Sequence, residues 1–177
     1  FEDGKAAAME VWMYASQLAE ARKGQKGEDL VTVLINAEID GEQLSEPEFD
    51  AFFLLLAVAG NETTRNLISG GMLALIEHPE QRARLIADPR LIPSAVEEFL
   101  RLWAPVQPAR RATKDVEVCG IQMKEGDQML VLLGAANRDE RHFADPDRYD
   151  IHRKIDRHLS FGYGLHFCLG SALARLE

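Results

Sequence analysis

The sequence contains few cysteines, no long apolar run and no surplus of basic residues, and each shortage excludes a class of protein. Two cysteines in 177 residues cannot form a disulfide framework or a four-sulfur zinc site, and a reducing cytoplasm is the expected compartment. No stretch approaches roughly 18 uninterrupted apolar residues, so no membrane span is expected. The formal net charge of −9 argues against a nucleic-acid partner, because no basic patch dominates.

Both ends of the sequence have the character of internal segments. The opening residues, FEDGKAAAME, contain neither an initiator methionine nor the apolar core of a signal peptide. The closing residues, ALARLE, are typical of a helix, and no helix-stop residue follows them. A length of 177 residues corresponds to one domain. We therefore expect residues 1–177 to form a single partial domain, truncated at both ends.

One long helix dominates the predicted secondary structure. Ser45 and Glu48 fit the Ser-x-x-Glu capping box that begins a helix, and helical character continues to about Glu77. The run FFLLLAV, residues 52–58, is apolar on every side of this helix. A helix that is apolar all round is normally buried, so burial is predicted for this part of it.

Shorter elements are predicted on both sides of the long helix. The other helices are residues 6–23, residues 28–37, residues 79–87, and a helix that starts at a second capping box, Ser94 and Glu97, and ends before Pro105. A turn or small hairpin is predicted just before Ser45. Residues 110–135 indicate strands, residues 137–160 a long ordered loop, and a final helix is expected to start near Leu169. The predicted class is mainly α with minor β.

The stretch from residue 160 to residue 175, SFGYGLHFCLGSALAR, carries the most chemical information. Glycines bracket Cys168, and glycine lets the backbone approach a flat ligand closely. A cysteine just before a helix amino terminus also favours the thiolate. A lone cysteine is usually a buried apolar side chain, which is the alternative interpretation of Cys168. Cys119, at the end of a predicted strand and without glycines on both sides, is interpreted as a strand side chain and not as a ligand. The glycines, with Phe161 and His166 at fixed offsets, favour a ligand role for Cys168.

The pattern Phe-Gly-x-Gly-x-His-x-Cys-x-Gly resembles the haem-ligand loop of cytochromes P-450, specifically the carboxyl-terminal part of a bacterial-type haem-thiolate monooxygenase. The resemblance implies the cytochrome P-450 fold, with a long distal helix, a Glu-x-x-Arg helix, a small β region and the cysteine loop. It also implies haem b as the cofactor, with the thiolate of Cys168 as the axial iron ligand. Phe161, Gly162 and Gly170 are the implied haem contacts in this loop.

Residues 59–64, AGNETT, resemble the distal-helix signature of the same family. A glycine inside a helix is unfavourable by about 1 kcal/mol relative to alanine, and a carboxylate beside an apolar run needs a partner or water. Taken alone, Glu62 could mark the point at which the helix reaches solvent. The resemblance implies that Ala59 and Gly60 leave space over the haem, and that Thr63 and Glu62 deliver protons to bound oxygen.

Three arginines and a histidine complete the implied site. Glu98 and Arg101 stand three apart on a helix and can pair; taken alone, they would form a solvated ion pair. The resemblance implies a structural network whose third member is an arginine from the loop PDRY, for which Arg148 is the candidate. It also implies that Arg110 binds one haem propionate, since a guanidinium donates two parallel hydrogen bonds to a carboxylate. Arg110 is preferred to its neighbour Arg111 because it stands three residues before Thr113. His166 is the implied second propionate partner.

The implied reaction is reductive activation of O2 and insertion of one oxygen atom into an organic substrate, as hydroxylation or epoxidation. A peroxygenase that uses H2O2, and a haem-binding fragment without activity, are the alternatives. The candidate substrate-facing residues are mostly apolar: Phe52, Phe53, Leu56, Ala59, Gly60 and the segment Val106, Gln107, Pro108, Ala109. They indicate an apolar substrate. The run AGNETTRN, residues 59–66, resembles bacterial members of the family that act on lipids and sterols, and this resemblance implies a lipid, sterol or terpenoid substrate.

The segment IHRKIDRH, residues 151–158, holds Arg153, Lys154 and Arg157 against the single acid Asp156. A local basic patch on an acidic chain steers docking of an acidic partner. It suggests a ferredoxin or flavodoxin-like electron donor, although a solvated loop would have the same composition.

Overall fold

A computed structural model describes residues 2–177, which divide into two compact units at Glu62 and Thr63. The helices are α1 (Glu2–Arg22), α2 (Leu30–Asn36), α3 (Glu46–Glu77), α4 (Pro79–Ala87), α5 (Ile92–Leu102), α6 (Leu133–Ala136) and α7 (Leu173–Leu176), with 3-10 turns at Pro89–Leu91 and Gly164–His166. The strands are β1 (Glu38–Ile39), β2 (Glu42–Gln43), β3 (Ala109–Arg111), β4 (Val116–Val118), β5 (Ile121–Met123) and β6 (Gln128–Leu130). They form three antiparallel pairs: β1 with β2, β3 with β6, and β4 with β5. The mainly α class with minor β is confirmed.

The first unit begins with two helices and a small hairpin, as the sequence predicts. The amide of Thr32 donates to the Asp29 carboxylate at 3.1 Å and so caps α2. At the start of α3 the backbone N–H of Ser45 donates to the Glu48 carboxylate at 2.9 Å, which is half of the predicted capping box. Among the described residues, no helix is long and apolar enough to cross a membrane.

The apolar run of α3 is not buried, contrary to the sequence prediction. Leu55 and Val58 are 60% and 59% exposed. The start of the helix is better covered: Phe49 is buried, and the ring centroid of Phe53 lies 6.1 Å from that of Tyr14 in α1. An apolar pattern on all sides shows that burial of the helix is favourable, but it does not show which neighbouring elements are present to cover it.

The second unit is organised around the long loop of residues 137–160. Tyr149 and Ile151 are buried within it, and the Tyr149 ring stacks on Phe99 of α5 at 5.7 Å. The side chain of Gln81 forms hydrogen bonds with the backbones of Tyr149 and Ile151. Its amide nitrogen donates to the Tyr149 carbonyl at 2.6 Å, and its oxygen accepts from the Ile151 N–H at 2.9 Å. These contacts fix an irregular segment against α4 and α5.

Several predicted element boundaries differ from the structure. Helix α1 begins at Glu2, four residues before the predicted start at residue 6. Helix α5 begins at Ile92 and not at Ser94, because the Ser94 hydroxyl contacts the Ile151 carbonyl at 2.7 Å and does not cap the helix. The apolar run after residue 128 is a strand only as far as Leu130, where the pairing with β3 ends. Helix α7 begins at Leu173, four residues after the predicted start at Leu169.

Candidate functional site

The loop that carries Cys168 is folded back on itself by its glycines. Gly162 and Gly164 have φ of 74° and 76°, a conformation that residues with a Cβ rarely adopt. The resulting turn lets the N–H of Cys168 donate to the carbonyl of Phe161 at 2.9 Å. Gly162 in turn donates to the carbonyl of Leu159 at 2.8 Å. The two hydrogen bonds set the position of the cysteine backbone.

The surroundings of Cys168 fit a flat apolar ligand. The cysteine is a free thiol and partly exposed, while the apolar residues around it, Leu165, Phe167 and Leu169, are all exposed. A Cβ built on Gly170 would meet no atom within 4 Å, so a ligand face can approach the backbone there. Exposed apolar side chains clustered around a thiol indicate a surface that binds another molecule. The loop therefore fits haem, with the thiol as its iron ligand.

One sequence argument about Cys168 was wrong. Because α7 starts at Leu173, the cysteine does not stand directly before a regular helix. It is followed instead by a turn in which the N–H of Ser171 donates to the Cys168 carbonyl at 3.3 Å. A helix dipole acts mainly within the first turn, so it contributes less to the thiolate than the sequence suggested. A bound metal deprotonates a thiol by itself.

Arg110 and His166 present donors that no described carboxylate occupies. Arg110 lies in β3 opposite Met129, and its guanidinium donates at 2.8 Å to the carbonyl of its own neighbour Ala109. His166 ends the 3-10 turn before Cys168 and is exposed. Both can therefore accept an external anion. Arg111 is also exposed, but alternation along a strand turns it to the opposite side from Arg110.

Residues 59–64 all lie in the middle of α3. Ala59, Gly60 and Glu62 are exposed and Thr63 is half-buried. A Cβ on Gly60 would meet nothing within 4 Å, so this glycine is not required by close packing against the described residues. The role of Gly60 in leaving space over the haem stays a prediction.

Glu98 and Arg101 form a completely buried ion pair. The Arg101 guanidinium donates to both carboxylate oxygens, at 2.7 and 2.9 Å, and both side chains have no exposed surface. The Arg101 guanidinium also donates to the carbonyls of Asn137 at 2.9 Å and Pro146 at 2.7 Å. The pair is thus not a solvated one, and it binds the long loop to α5.

The third member of this network is Arg153, and the expectation of Arg148 is corrected. Arg153 lies 3.2 Å from the Glu98 carboxylate and is almost buried. Arg148 directs its side chain outward, 66% exposed, and approaches Asp150 at 3.7 Å. Arg148 contributes only its backbone carbonyl, which accepts from Arg101 at 3.4 Å. The loop turns between the two positions, and that turn could not be read from spacing in the sequence.

A second polar cluster, which the sequence did not indicate, joins three elements near the cysteine loop. Glu97 of α5 accepts from Arg175 of α7 at 2.5 Å and lies 3.0 Å from the Nε2 atom of His158. Burial alone would raise the pKa of Glu97, but its ion pair with Arg175 and its contact with His158 together lower that pKa. The sequence indicates for Glu97 only a capping box with Ser94, and no local pattern reveals its partners 61 and 78 positions away.

A sequence model of the cytochrome P-450 family matches residues 6–177. The chain belongs to this family. Its fold is correspondingly that of a cytochrome P-450 portion. Cytochromes P-450 bind haem b through a cysteine thiolate, in agreement with the surroundings of Cys168.

Similar proteins include two curated bacterial cytochromes P-450. A methyl-branched lipid omega-hydroxylase of Mycobacterium tuberculosis is 47% identical over 180 residues, covering 100% of this chain and 42% of the relative. A steroid C26-monooxygenase of Rhodococcus jostii is 48% identical over 184 residues, covering 99% of this chain and 37% of the relative. The chain thus spans less than half the length of these relatives.

A solved structure matches closely as well. CYP109E1 from Bacillus megaterium, in complex with testosterone, superposes with a TM-score of 0.93 at 38% identity, covering 99% of this chain and 49% of that one. The match extends over nearly the whole chain, in agreement with the P-450 fold.

The correction from Arg148 to Arg153 gives a stability prediction. Arg101→Ala should lower the free energy of unfolding by about 3–5 kcal/mol, because it leaves the Glu98 carboxylate buried and unpaired. Arg153→Ala should lower it by an intermediate amount, and Arg148→Ala by less than about 0.5 kcal/mol, as is usual for surface changes. Urea unfolding of the three variants measures this. Equal losses in Arg148→Ala and Arg153→Ala would contradict the assignment.

His158 gives a pH prediction. Burial lowers the pKa of His158 from its ordinary 6.5, although Glu97 opposes the shift; the charges of Arg175 and Arg101 add to the lowering. The folded state therefore binds this proton more weakly than the unfolded chain. The resulting stability is complete above pH 6.5 and is lost as the pH falls through the lowered folded pKa.

In urea unfolding between pH 7 and 5, His158→Gln should therefore show a shallower loss of stability than the parent. The difference in slope is at most about 1.4 kcal/mol per pH unit, the value for one proton. His152→Gln, which changes an exposed histidine of the same loop, is the matched control and should follow the parent. A parent-like slope in His158→Gln would show that this histidine does not titrate with folding.

Proposed function

We propose that this chain is the haem-binding part of a monooxygenase that inserts one atom of O2 into an apolar organic substrate. The observation that carries the proposal is the Cys168 loop: a partly exposed thiol, held by a backbone hydrogen bond to Phe161 and surrounded by exposed apolar side chains. When bound, haem b would supply the reductive activation of O2, and a cysteine thiolate would serve as its iron ligand. The protein contributes binding, orientation and protons.

The residues that would hold the cofactor have distinct tasks. Cys168 provides the iron ligand, and Gly162 and Gly170 let the porphyrin approach the backbone beside Phe161. Arg110 and His166 would bind the two propionates, since each has donors that no described carboxylate occupies. These assignments are supported by exposure and by open donors at each position.

Two residues of α3 would handle protons. Thr63 stands three residues after Gly60, about one turn along the helix, and its hydroxyl can hold a water molecule in the open space beside that glycine. The adjacent Glu62 is exposed and can pass protons from solvent to the hydroxyl, as a positioned acid does. Ala59 and Gly60 leave the room that this arrangement needs.

The proposed substrate is apolar: a lipid, sterol or terpenoid. Support comes from the relatives, which include a lipid omega-hydroxylase and a steroid monooxygenase, and from apolar side chains along α3 such as Leu55 and Val58, which are open to contact. The size and shape of the substrate depend on surfaces beyond these residues.

The proposed electron donor is a ferredoxin or flavodoxin-like protein. Of the three cations in residues 151–158, Arg153 is engaged with Glu98 and does not contribute to a docking surface. Lys154 and Arg157 are exposed and keep the patch basic.

The proposed compartment is the cytoplasm, which agrees with the two free thiols of the protein.

The ligand assignment is tested by two cysteine variants. In the haem-loaded protein, Cys168→His should abolish the strongly red-shifted Soret band of the ferrous–CO complex, because imidazole replaces the thiolate. Cys119→Ser is the matched control. Cys119 occupies the exposed tip of the β4–β5 hairpin, so the band should be unchanged. The reverse pattern would show that the iron ligand has been misassigned.

The proton-delivery role is tested by separating reductant use from product formation. Thr63→Ala should consume reductant at a near-parental rate, release H2O2, and form at least about tenfold less hydroxylated product, since positioned proton donors contribute 10²-fold or more. Glu62→Gln should slow reductant use itself, because proton entry is impaired. Thr64→Ala, one residue away, is the control. If Thr64→Ala uncouples the reaction and Thr63→Ala does not, the role belongs to Thr64.

A further inference from the structure

The Glu97 cluster brings together residues that are far apart in sequence. Its carboxylate binds Arg175 through both oxygens, at 2.5 and 3.2 Å, and one of these oxygens also contacts Nε2 of His158 at 3.0 Å. Arg175 stands seven residues after Cys168, and His158 ten residues before it. One carboxylate of α5 therefore holds both flanks of the cysteine loop.

The two partners of Glu97 both contact Phe161. The Arg175 guanidinium carbon lies 4.5 Å from the centre of the Phe161 ring, and the His158 ring centroid lies 5.7 Å from it. The carbonyl of Phe161 is the acceptor for the N–H of Cys168. The ring is therefore held by groups that Glu97 orients, and its backbone anchors the cysteine.

The tautomer of His158 follows from its second contact. The N–H of Ser160 donates to Nδ1 of His158 at 3.2 Å, so Nδ1 accepts and Nε2 carries the hydrogen that is donated to Glu97. Glu97 thereby defines the plane of the imidazole as well as that of the guanidinium. This is the arrangement by which a carboxylate commonly orients a histidine next to a functional group.

The exposure of the Glu97–Arg175 ion pair argues against a large contribution of that pair to global stability. The side chains of Glu97 and Arg175 are 30% and 37% exposed, and exposed ion pairs contribute little to folding. The nearby Glu98–Arg101 pair has no exposed surface and fulfils that structural task. A partly exposed ion pair that nevertheless contacts Phe161, the anchor of the cysteine, is better suited to adjusting the loop.

We propose that Glu97, His158 and Arg175 are positioning residues that act through Phe161 to hold Cys168 in place as an iron ligand. The proposal rests on the proposed ligand role of Cys168. Loss of Arg175 frees the Phe161 ring and weakens the hold on the Cys168 backbone, so that the cysteine would bind iron less firmly. The fold around α5 stays intact, because the buried pair is untouched.

The test uses the haem-loaded protein and follows the lifetime of the red-shifted ferrous–CO band. In Arg175→Met the band should convert to the unshifted form about two- to fivefold faster than in the parent, the factor that corresponds to one cation–π contact. Arg175→Lys keeps the charge and should recover part of the lifetime. Glu97→Gln should resemble Arg175→Met. Arg141→Met, which breaks an exposed pair with Asp139, is the matched control.

A double variant separates positioning from simple destabilisation. If Arg175 acts through the ring, Phe161→Leu alone should shorten the lifetime, and adding Arg175→Met should shorten it no further. Additive effects, or an unchanged lifetime in both Arg175→Met and Glu97→Gln, would overturn the proposal. A shorter lifetime that merely parallels a lower urea midpoint would also overturn it. A parent protein that lacks the red-shifted band altogether would instead refute the ligand role of Cys168.

Discussion

The buried charge of Arg101 is the constraint on which the second unit depends. A guanidinium without exposed surface is tolerated only if its donors are satisfied, and here they reach Glu98 and the carbonyls of Asn137 and Pro146. Two of these acceptors belong to the irregular loop of residues 137–160. The loop must therefore close around α5 before the charge can be buried. A segment with little periodicity acquires a single conformation from this requirement.

The same loop transmits that order to the cysteine. The Asn137 side chain, also fully buried, accepts from the N–H of Leu159 at 2.7 Å and donates to the Ser160 hydroxyl at 2.8 Å. Ser160 in turn donates to the carbonyl of Leu100 on α5 at 2.5 Å. The chain is thus attached to α5 immediately before Phe161, where the turn toward Cys168 begins. The buried pair and the ligand loop are linked through a short series of hydrogen bonds.

The sequence predicted the parts of this structure that depend on local rules. The capping box at Ser45, the glycine-bracketed turn before Cys168 and the pairing of Glu98 with Arg101 each involve residues within a few positions of one another. The sequence could not predict contacts that depend on how the long loop folds. The choice of Arg153 over Arg148, the engagement of Ser94 with Ile151, and the meeting of Glu97 with Arg175 across 78 positions are of this second kind. The exposure of Leu55 belongs there too, because an apolar pattern does not reveal which neighbours are present to cover it.

The hydrogen bonds that attach the cysteine loop to α5 are needed because the surface around Cys168 is apolar. Around Cys168 the exposed side chains are apolar, Leu165 and Leu169 among them, and free apolar groups on a flexible loop would tend to pack against one another. Such a collapse would close the surface that a flat ligand needs. Hydrogen bonds from buried polar groups have directions, so they hold the backbone open where apolar packing alone would not. The anchoring of residues 158–161 to α5, and of Cys168 to Phe161, therefore keeps the binding surface in place before the ligand arrives, as preorganised sites require.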